Sequence, residues 1–186
     1  MVRLPEGAEA EGLVVRRWVP SDASLMHELI GRNVDHLRAR MAWISEEPLS
    51  VEDRRNLLRQ WDQEWHHGGD AYLLITLADG TAVGSCGLHR RIGPDGLEIG
   101  YWVDVGHVRQ GIATRAARAL TDLAFTVEGI DVVEIPHDRE NIASRGVPAG
   151  LGYELVGDRP ATRELAPADT GTDTLWRMRR EQWQPR

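Results

Sequence analysis

The run from Leu97 to Thr126 constrains this chain more than any other stretch. It reads as strand, loop and long helix, with one glycine at the helix start. Leu97-Glu98-Ile99-Gly100-Tyr101-Trp102-Val103 has the branched and aromatic composition of a strand. Asp104 to Arg109 reads as a loop. From Gly111 the pattern turns helical, with Ile112, Ala116, Leu120, Leu123, Ala124 and Val127 recurring on one face. Gly129 stands where a helix C-terminal glycine belongs. A loop that delivers free backbone N–H groups at a helix start suits an anion, most often a phosphate. Gly111 lets the backbone approach that anion with no Cβ in the way.

Around this unit the punctuation predicts seven strands. Leu13 to Trp18 is the first. Helical pieces follow at Leu25–Ile30, at Asn33–Trp43 and after the Ser50-Val51-Glu52-Asp53 capping signal, where Leu57, Leu58, Trp61 and Trp65 share a face. Tyr72–Leu77, Ala82–Leu88 and Leu97–Val103, joined by Asp79-Gly80 and Pro94-Asp95-Gly96, form an antiparallel meander. After the long helix come a strand at Val132–Ile135, a helix over 141–151, and strands at Tyr153–Gly157 and Thr174–Met178. The expected architecture is α/β, a mixed and mostly antiparallel sheet with helices on both faces. Residues 1–12 read as a flexible lead-in, 13–180 as one domain and 181–186 as a tail.

Composition narrows the function classes. A length of 186 residues allows one domain with a sizeable core. A net charge of −7 gives no support for nucleic-acid binding. Cys86 is the only cysteine, so a disulfide within the chain and a cysteine-rich metal site are excluded, and no metal is expected. No apolar run approaches a membrane span, and Met1 to Gly7 lacks the apolar stretch of a signal peptide, so cytoplasm is the simplest reading.

The segment Val108-Arg109-Gln110-Gly111-Ile112-Ala113 resembles the acetyl-CoA signature of the GNAT superfamily of N-acetyltransferases, Gln/Arg-x-x-Gly-x-Gly/Ala. Val108 departs from it and removes one side chain from the pyrophosphate clamp. The element order is that of the superfamily over Leu13 to Met178. Arg17-Trp18-Val19-Pro20-Ser21-Asp22-Ala23, Asn33-Val34-Asp35-His36-Leu37, Asn141-Ile142-Ala143-Ser144 and Leu151-Gly152-Tyr153 resemble phrases of the RimJ/RimL-like branch of ribosomal-protein N-terminal acetyltransferases.

That resemblance implies acetyl-CoA as co-substrate and a primary amine as acceptor. The amine is either a protein N-terminal α-amine or a small molecule, and homodimers are common in the branch. It places the pyrophosphate on the backbone of Val108, Arg109, Gln110, Gly111, Ile112, Ala113 and Thr114, and the pantetheine arm against the backbone of Trp102 and Val103. It also places Asn141 at the arm or in a capping role, and the acceptor pocket at Asn33, His36, Leu37 and Trp43. Where many relatives carry an acidic tyrosine this chain has Pro148; Ser144 is the group expected to reach the sulfur, or else to serve as a helix-start hydroxyl.

Transfer to an amine needs a proton acceptor and a donor aimed at the carbonyl oxygen. Glu98 is the first choice as base, because strand alternation puts it on one face with Gly100 and Trp102, and desolvation there would raise its pKa. Glu134 in the next strand competes with it. His137 reads as a surface loop histidine, Tyr153 as a core or edge aromatic and Cys86 as a small packing residue. Two other classes stand beside the enzyme. One is a non-catalytic acyl-CoA sensor. The other, a dinucleotide-binding enzyme, is disfavoured because the loop lacks Gly-x-Gly-x-x-Gly after a first strand.

Overall fold

A computed structural model describes residues 2–185. Its centre is one sheet of eight strands: β1 (Gly7–Ala10), β2 (Leu13–Arg17), β3 (Ala71–Leu77), β4 (Ala82–His89), β5 (Gly96–Val103), β6 (Val132–Asp138), β7 (Glu154–Pro160) and β8 (Thr172–Arg179). Their order across the sheet is β1-β2-β3-β4-β5-β6-β8-β7. The β3–β4–β5 meander is antiparallel, and β5 with β6 is the parallel pair.

The eighth strand corrects the expected count of seven and the expected flexible lead-in. Gly7–Ala10 pairs antiparallel with β2, and Leu4 is buried in the core. Ala8, Glu9 and Ala10 carry no strand signal of their own; pairing along the free edge of β2 orders them. The expected tail is also partly held, for Trp183 is buried with its indole N–H donating to Asp122 at 2.7 Å. Met1 and Arg186 lie outside the described residues.

Five helices cover the two faces: α1 (Ala23–Gly31), α2 (Val34–Arg38), α3 (Val51–His66), α4 (Ile112–Thr126) and α5 (Ile142–Gly150). The predicted helical piece over Asn33–Trp43 is α2 followed by a 3-10 turn, Ala42–Glu46. Leu73, Ile75, Val83, Leu88, Leu97, Ile99 and Val133 pack against Ile112, Ala116 and Leu120 of α4. On the opposite face Trp18, Leu74 and Ala82 meet Met26, Leu29, Ile30, Leu37 and Leu58, with Tyr72 and Trp102 beside them. Burying each such aliphatic side chain contributes roughly 1.5–3 kcal/mol, so this alternation fixes which face each β5 residue serves. Leu97, Ile99 and Tyr101 face α4; Trp102 faces the α1–α3 side.

Candidate active site

β5 and β6 are joined for only three residue pairs, Gly96–Glu98 against Val132–Glu134. Beyond them β5 stays with β4 as far as Val103, and β6 stays with β8 as far as Asp138. The sheet therefore opens into a wedge whose two inner edges carry backbone N–H and C=O groups with no strand between them. Unpaired strand edges accept another extended, amide-bearing chain.

The wedge leads to the start of α4. Arg109 and Gly111 both have left-handed backbone, at φ 62° and 72°. A left-handed arginine is strained by about 1–2 kcal/mol, and such strain collects at ligand loops. The first N–H in the helix to find a carbonyl is that of Arg115, on Gly111 at 3.0 Å, and no side chain caps the N–H groups before it. A Cβ on Gly111 would meet nothing within 4 Å. The glycine thus serves the conformation and the incoming group, not internal packing. Val108, Arg109 and Gln110 are exposed.

The loop before α4 is anchored from below. Asp104 is buried, and its carboxylate accepts from Asn33 at 2.7 Å, from Arg32 at 3.3 Å and from His107 at 2.8 Å. Burial opposes its charge, but those bonds outweigh it and hold the carboxyl below the usual carboxylate range. Asn33 is 0% exposed; its amide also donates to Leu29 O at 2.7 Å, and its oxygen accepts the Val105 N–H at 2.7 Å. Its expected place in the acceptor pocket is therefore corrected. With all three bonds made internally, Asn33 fastens the end of α1 to the loop before α4. His36 is exposed on α2. Trp43 lies with its ring centre 6.4 Å from that of Trp102 and forms an aromatic wall.

On the α1–α3 side of the sheet, at the mouth of the wedge, lies a cavity of about 690 Å³. Its lining includes Glu98, Glu134, Pro136 and Asp173, with Arg91, Arg159, Arg163 and Arg177. Glu98 and Glu134 are register partners across β5 and β6. They differ in what they have left to offer. Arg177 Nε donates to Glu134 at 2.9 Å, a second Arg177 nitrogen binds the same oxygen, and Arg159 approaches the other. Glu98, with a side chain 13% exposed, accepts one bond, from Arg91 at 3.0 Å.

The roof of the cavity is the β7–β8 loop, residues 161–171. Asp138 holds it through the backbone N–H of Thr170 at 2.6 Å. Arg40, in the turn after α2, reaches across to Ala168 O at 3.0 Å.

His137 corrects its reading as a loop histidine. It is buried in β6, its Nε2 accepts the Trp176 indole N–H at 3.1 Å, and its Nδ1 donates to Asp138 O at 2.8 Å. Neither nitrogen is left for a proton. Asn141 caps α5 by accepting the Ser144 N–H at 3.2 Å. The Ser144 hydroxyl makes no hydrogen bond among the described residues, while the Ser144 carbonyl accepts from the Tyr101 hydroxyl at 3.3 Å. Tyr101 is thus more than strand backbone: it ties β5 to α5 across the wedge. Burial raises its pKa, so the phenol stays protonated. Tyr153 is buried against Thr121, and burial pushes the Cys86 thiol up, leaving it an inert packing group. No cluster of three or more metal-ligating side chains occurs among the described residues. Among the described residues, no helix is long and apolar enough to cross a membrane.

A slot for an extended amide chain that ends at a phosphate-ready helix start fits a coenzyme made of both parts, an acyl-carrying pantetheine arm on a nucleotide diphosphate. That defines the class as an acyl-CoA-dependent transferase. Residues 12–154 match the acetyltransferase (GNAT) domain family, and the chain belongs to it. No curated protein sequence matches the chain. Among solved structures, a RimL ribosomal L7/L12 α-N-protein acetyltransferase in complex with coenzyme A is 21% identical, with 96% of this chain and 98% of that one covered, at TM-score 0.80. Mycobacterium smegmatis RimJ in complex with CoA-disulfide is 23% identical over 96% and 85%, at 0.76. The microcin C7 self-immunity acetyltransferase MccE, in complex with acetyl-CoA and AMP, is 18% identical over 94% and 97%, at 0.83. At these identities the likeness shows a shared fold.

Proposed function

We propose that this protein transfers the acetyl group of acetyl-CoA directly to a primary amine seated in the cavity at the mouth of the β5–β6 wedge. The observation that carries this reading is the join between the wedge and the uncapped, left-handed start of α4. In it the pyrophosphate meets the N–H groups of Gly111, Ile112, Ala113 and Thr114. The arm runs beside Trp102 and Val103 of β5, and Asn141 and Ser144 approach it from α5. Val108 contributes only its backbone. Glu98, with one oxygen free, draws the amine as an ammonium cation into the cavity, and Trp43 and Trp102 form the apolar wall.

The acceptor we favour is a protein N-terminal α-amine entering end-on. The fastened roof at residues 161–171 and a volume in the small-ligand range support a small amine as the second reading. Acetylation of peptides with free or blocked N-termini, set beside a panel of small amines, decides between them; no turnover on any amine would sink the enzyme reading. We place the reaction in the cytoplasm. A homodimer, supported by the open β7 edge with Leu155 and Val156 exposed, would show as a doubled sedimentation mass.

Ser144 assists the departing sulfur in this reading. A thiolate is already a fair leaving group near neutral pH, and one neutral hydrogen bond contributes on the order of 1 kcal/mol. Ser144→Ala should therefore lower kcat about tenfold. An unchanged kcat would remove Ser144 from the chemistry.

A further inference from the structure

His89, the last residue of β4, is 7% exposed, and its ring turns back over the sheet. It lies on the register pair Gly87 and Gly100: a Cβ on Gly87 would stand 2.7 Å from Nε2, and one on Gly100 3.4 Å from it. Two glycines inside adjacent strands weaken both, so they mark a place where something must come close. Here that something is the imidazole. Tyr72, the register partner of Gly87 on β3, holds the ring edge-on at 5.2 Å, and Trp61 stacks on Tyr72 at 4.0 Å.

The ring is also oriented by a hydrogen bond. Nδ1 lies 2.8 Å from Asp70 Oδ2, and the other Asp70 oxygen accepts the Arg90 N–H at 2.8 Å. Since a carboxylate accepts, Nδ1 carries the hydrogen and Nε2 presents a lone pair. Nε2 has no hydrogen-bond partner among the described residues. It lies over Gly100, the residue between Glu98 and Trp102 on the α1–α3 face of β5, next to the Glu98 end of the cavity and just past the last pairing of β5 with β6. The charged and titratable groups around it are Asp70, Arg90 and Arg91, Glu98 across the β4–β5 ladder, Tyr72 of β3, and Glu64 of α3 beside Tyr72.

We propose that His89, oriented by Asp70, accepts the proton of the acceptor amine during transfer. The proposal rests on the acetyltransferase reading above and adds the base that reading lacks. The ammonium first gives one proton to His89 Nε2, and the lone pair this frees forms a bond to the thioester carbonyl carbon. The carbon–sulfur bond breaks with its electron pair leaving on sulfur, and the second proton of the former ammonium ends on that sulfur as the thiol. The imidazolium then faces the Asp70 carboxylate, and Glu98 keeps its part in attracting the amine. His137, the other buried histidine, has both nitrogens occupied, and Glu134 is bound by Arg177.

The test is the pH profile of kcat, taken at saturating amine and acetyl-CoA, for the wild type and for His89→Gln, Asp70→Asn and Glu98→Gln. His89→Gln should lower kcat on the order of 10²-fold, the scale of one general base, abolish the acid limb and leave the acetyl-CoA KM unchanged. Asp70→Asn should keep the limb but move it to lower pH, since the imidazolium loses its counter-charge. Glu98→Gln should raise the amine KM with the limb in place. A limb that survives in folded His89→Gln, or one that leaves with Glu98→Gln, overturns the proposal. Should His89→Gln fail to fold, the near-isosteric Asp70→Asn carries the test, and an unmoved limb there overturns it. A wild type with no turnover sinks the acetyltransferase reading and this proposal with it, an outcome separate from an intact His89→Gln.

Discussion

Two helix starts in this molecule have been finished in opposite ways. At α3, Ser50 accepts the Asp53 N–H at 3.1 Å while Asp53 accepts the Ser50 N–H at 3.0 Å. Two donors at that start, the Ser50 and Asp53 N–H groups, are thus satisfied by the chain itself. At α4 the capping position is Gly111 in left-handed backbone, with no side chain over the N–H groups. The chain supplies structure up to Asp104 and then leaves donors open. A capped start serves stability; an uncapped one beside a wedge in the sheet leaves donors open to a ligand. The two are distinguishable by substitution.

The largest effect is expected at Gly111. Gly111→Val places branched carbons at the proposed pyrophosphate position and should weaken acetyl-CoA binding on the order of 10²-fold, the loss of two charge-assisted hydrogen bonds. Left-handed backbone would also strain valine by about 1–2 kcal/mol. Gly111→Asn separates the two effects, since asparagine tolerates that conformation. Titration calorimetry showing unchanged affinity in both folded variants would erase the contrast between the helix starts.

Asp104→Asn comes next. It loosens the support beneath the α4 loop while leaving the N–H groups in place, so affinity should fall severalfold and stability should fall at pH 7. The pH dependence has a definite sign. The Asp104 carboxyl is held below its unfolded value near 3.9, so its contribution is full above that value and disappears as pH falls through the lower folded value. Urea midpoints of wild type and variant should differ steadily from pH 7 to 5 and converge only below about 4. Convergence already between pH 7 and 5 would mean that the Asp104 charge does not carry the effect.

Ser50→Ala is the smallest. Loss of one cap should lower Tm by about 2–4 °C and leave acetyl-CoA affinity unchanged. A changed affinity would mean that the two helix starts are not independent.

The pattern that made α4 legible, a strand followed by a glycine and a regular apolar stripe, is local and self-sufficient. So were the meander turns and the Ser50 cap. β1 was not legible, because Gly7-Ala8-Glu9-Ala10 becomes a strand only by lying along β2. The roles of the two glutamates were equally hidden. Glu134 is engaged by Arg177, which stands far along the chain and meets it only through the β6–β8 register. Asn33 was visible as part of a family-like phrase, yet its function follows from a partner, Asp104, that only the fold brings near. His89 left a trace in the sequence, the glycines at 87 and 100, but their meaning required knowing that they are opposite each other.

Asn33 has one more consequence. A single buried amide joins the end of α1 to the loop before α4, that is, the helical layer on the proposed acceptor side to the proposed donor site. A shift of α1 on filling either proposed site would reach the other through that link. Whatever factor by which bound acetyl-CoA improves the grip on the amine, the amine must return the same factor to acetyl-CoA, because the coupling is a property of the pair.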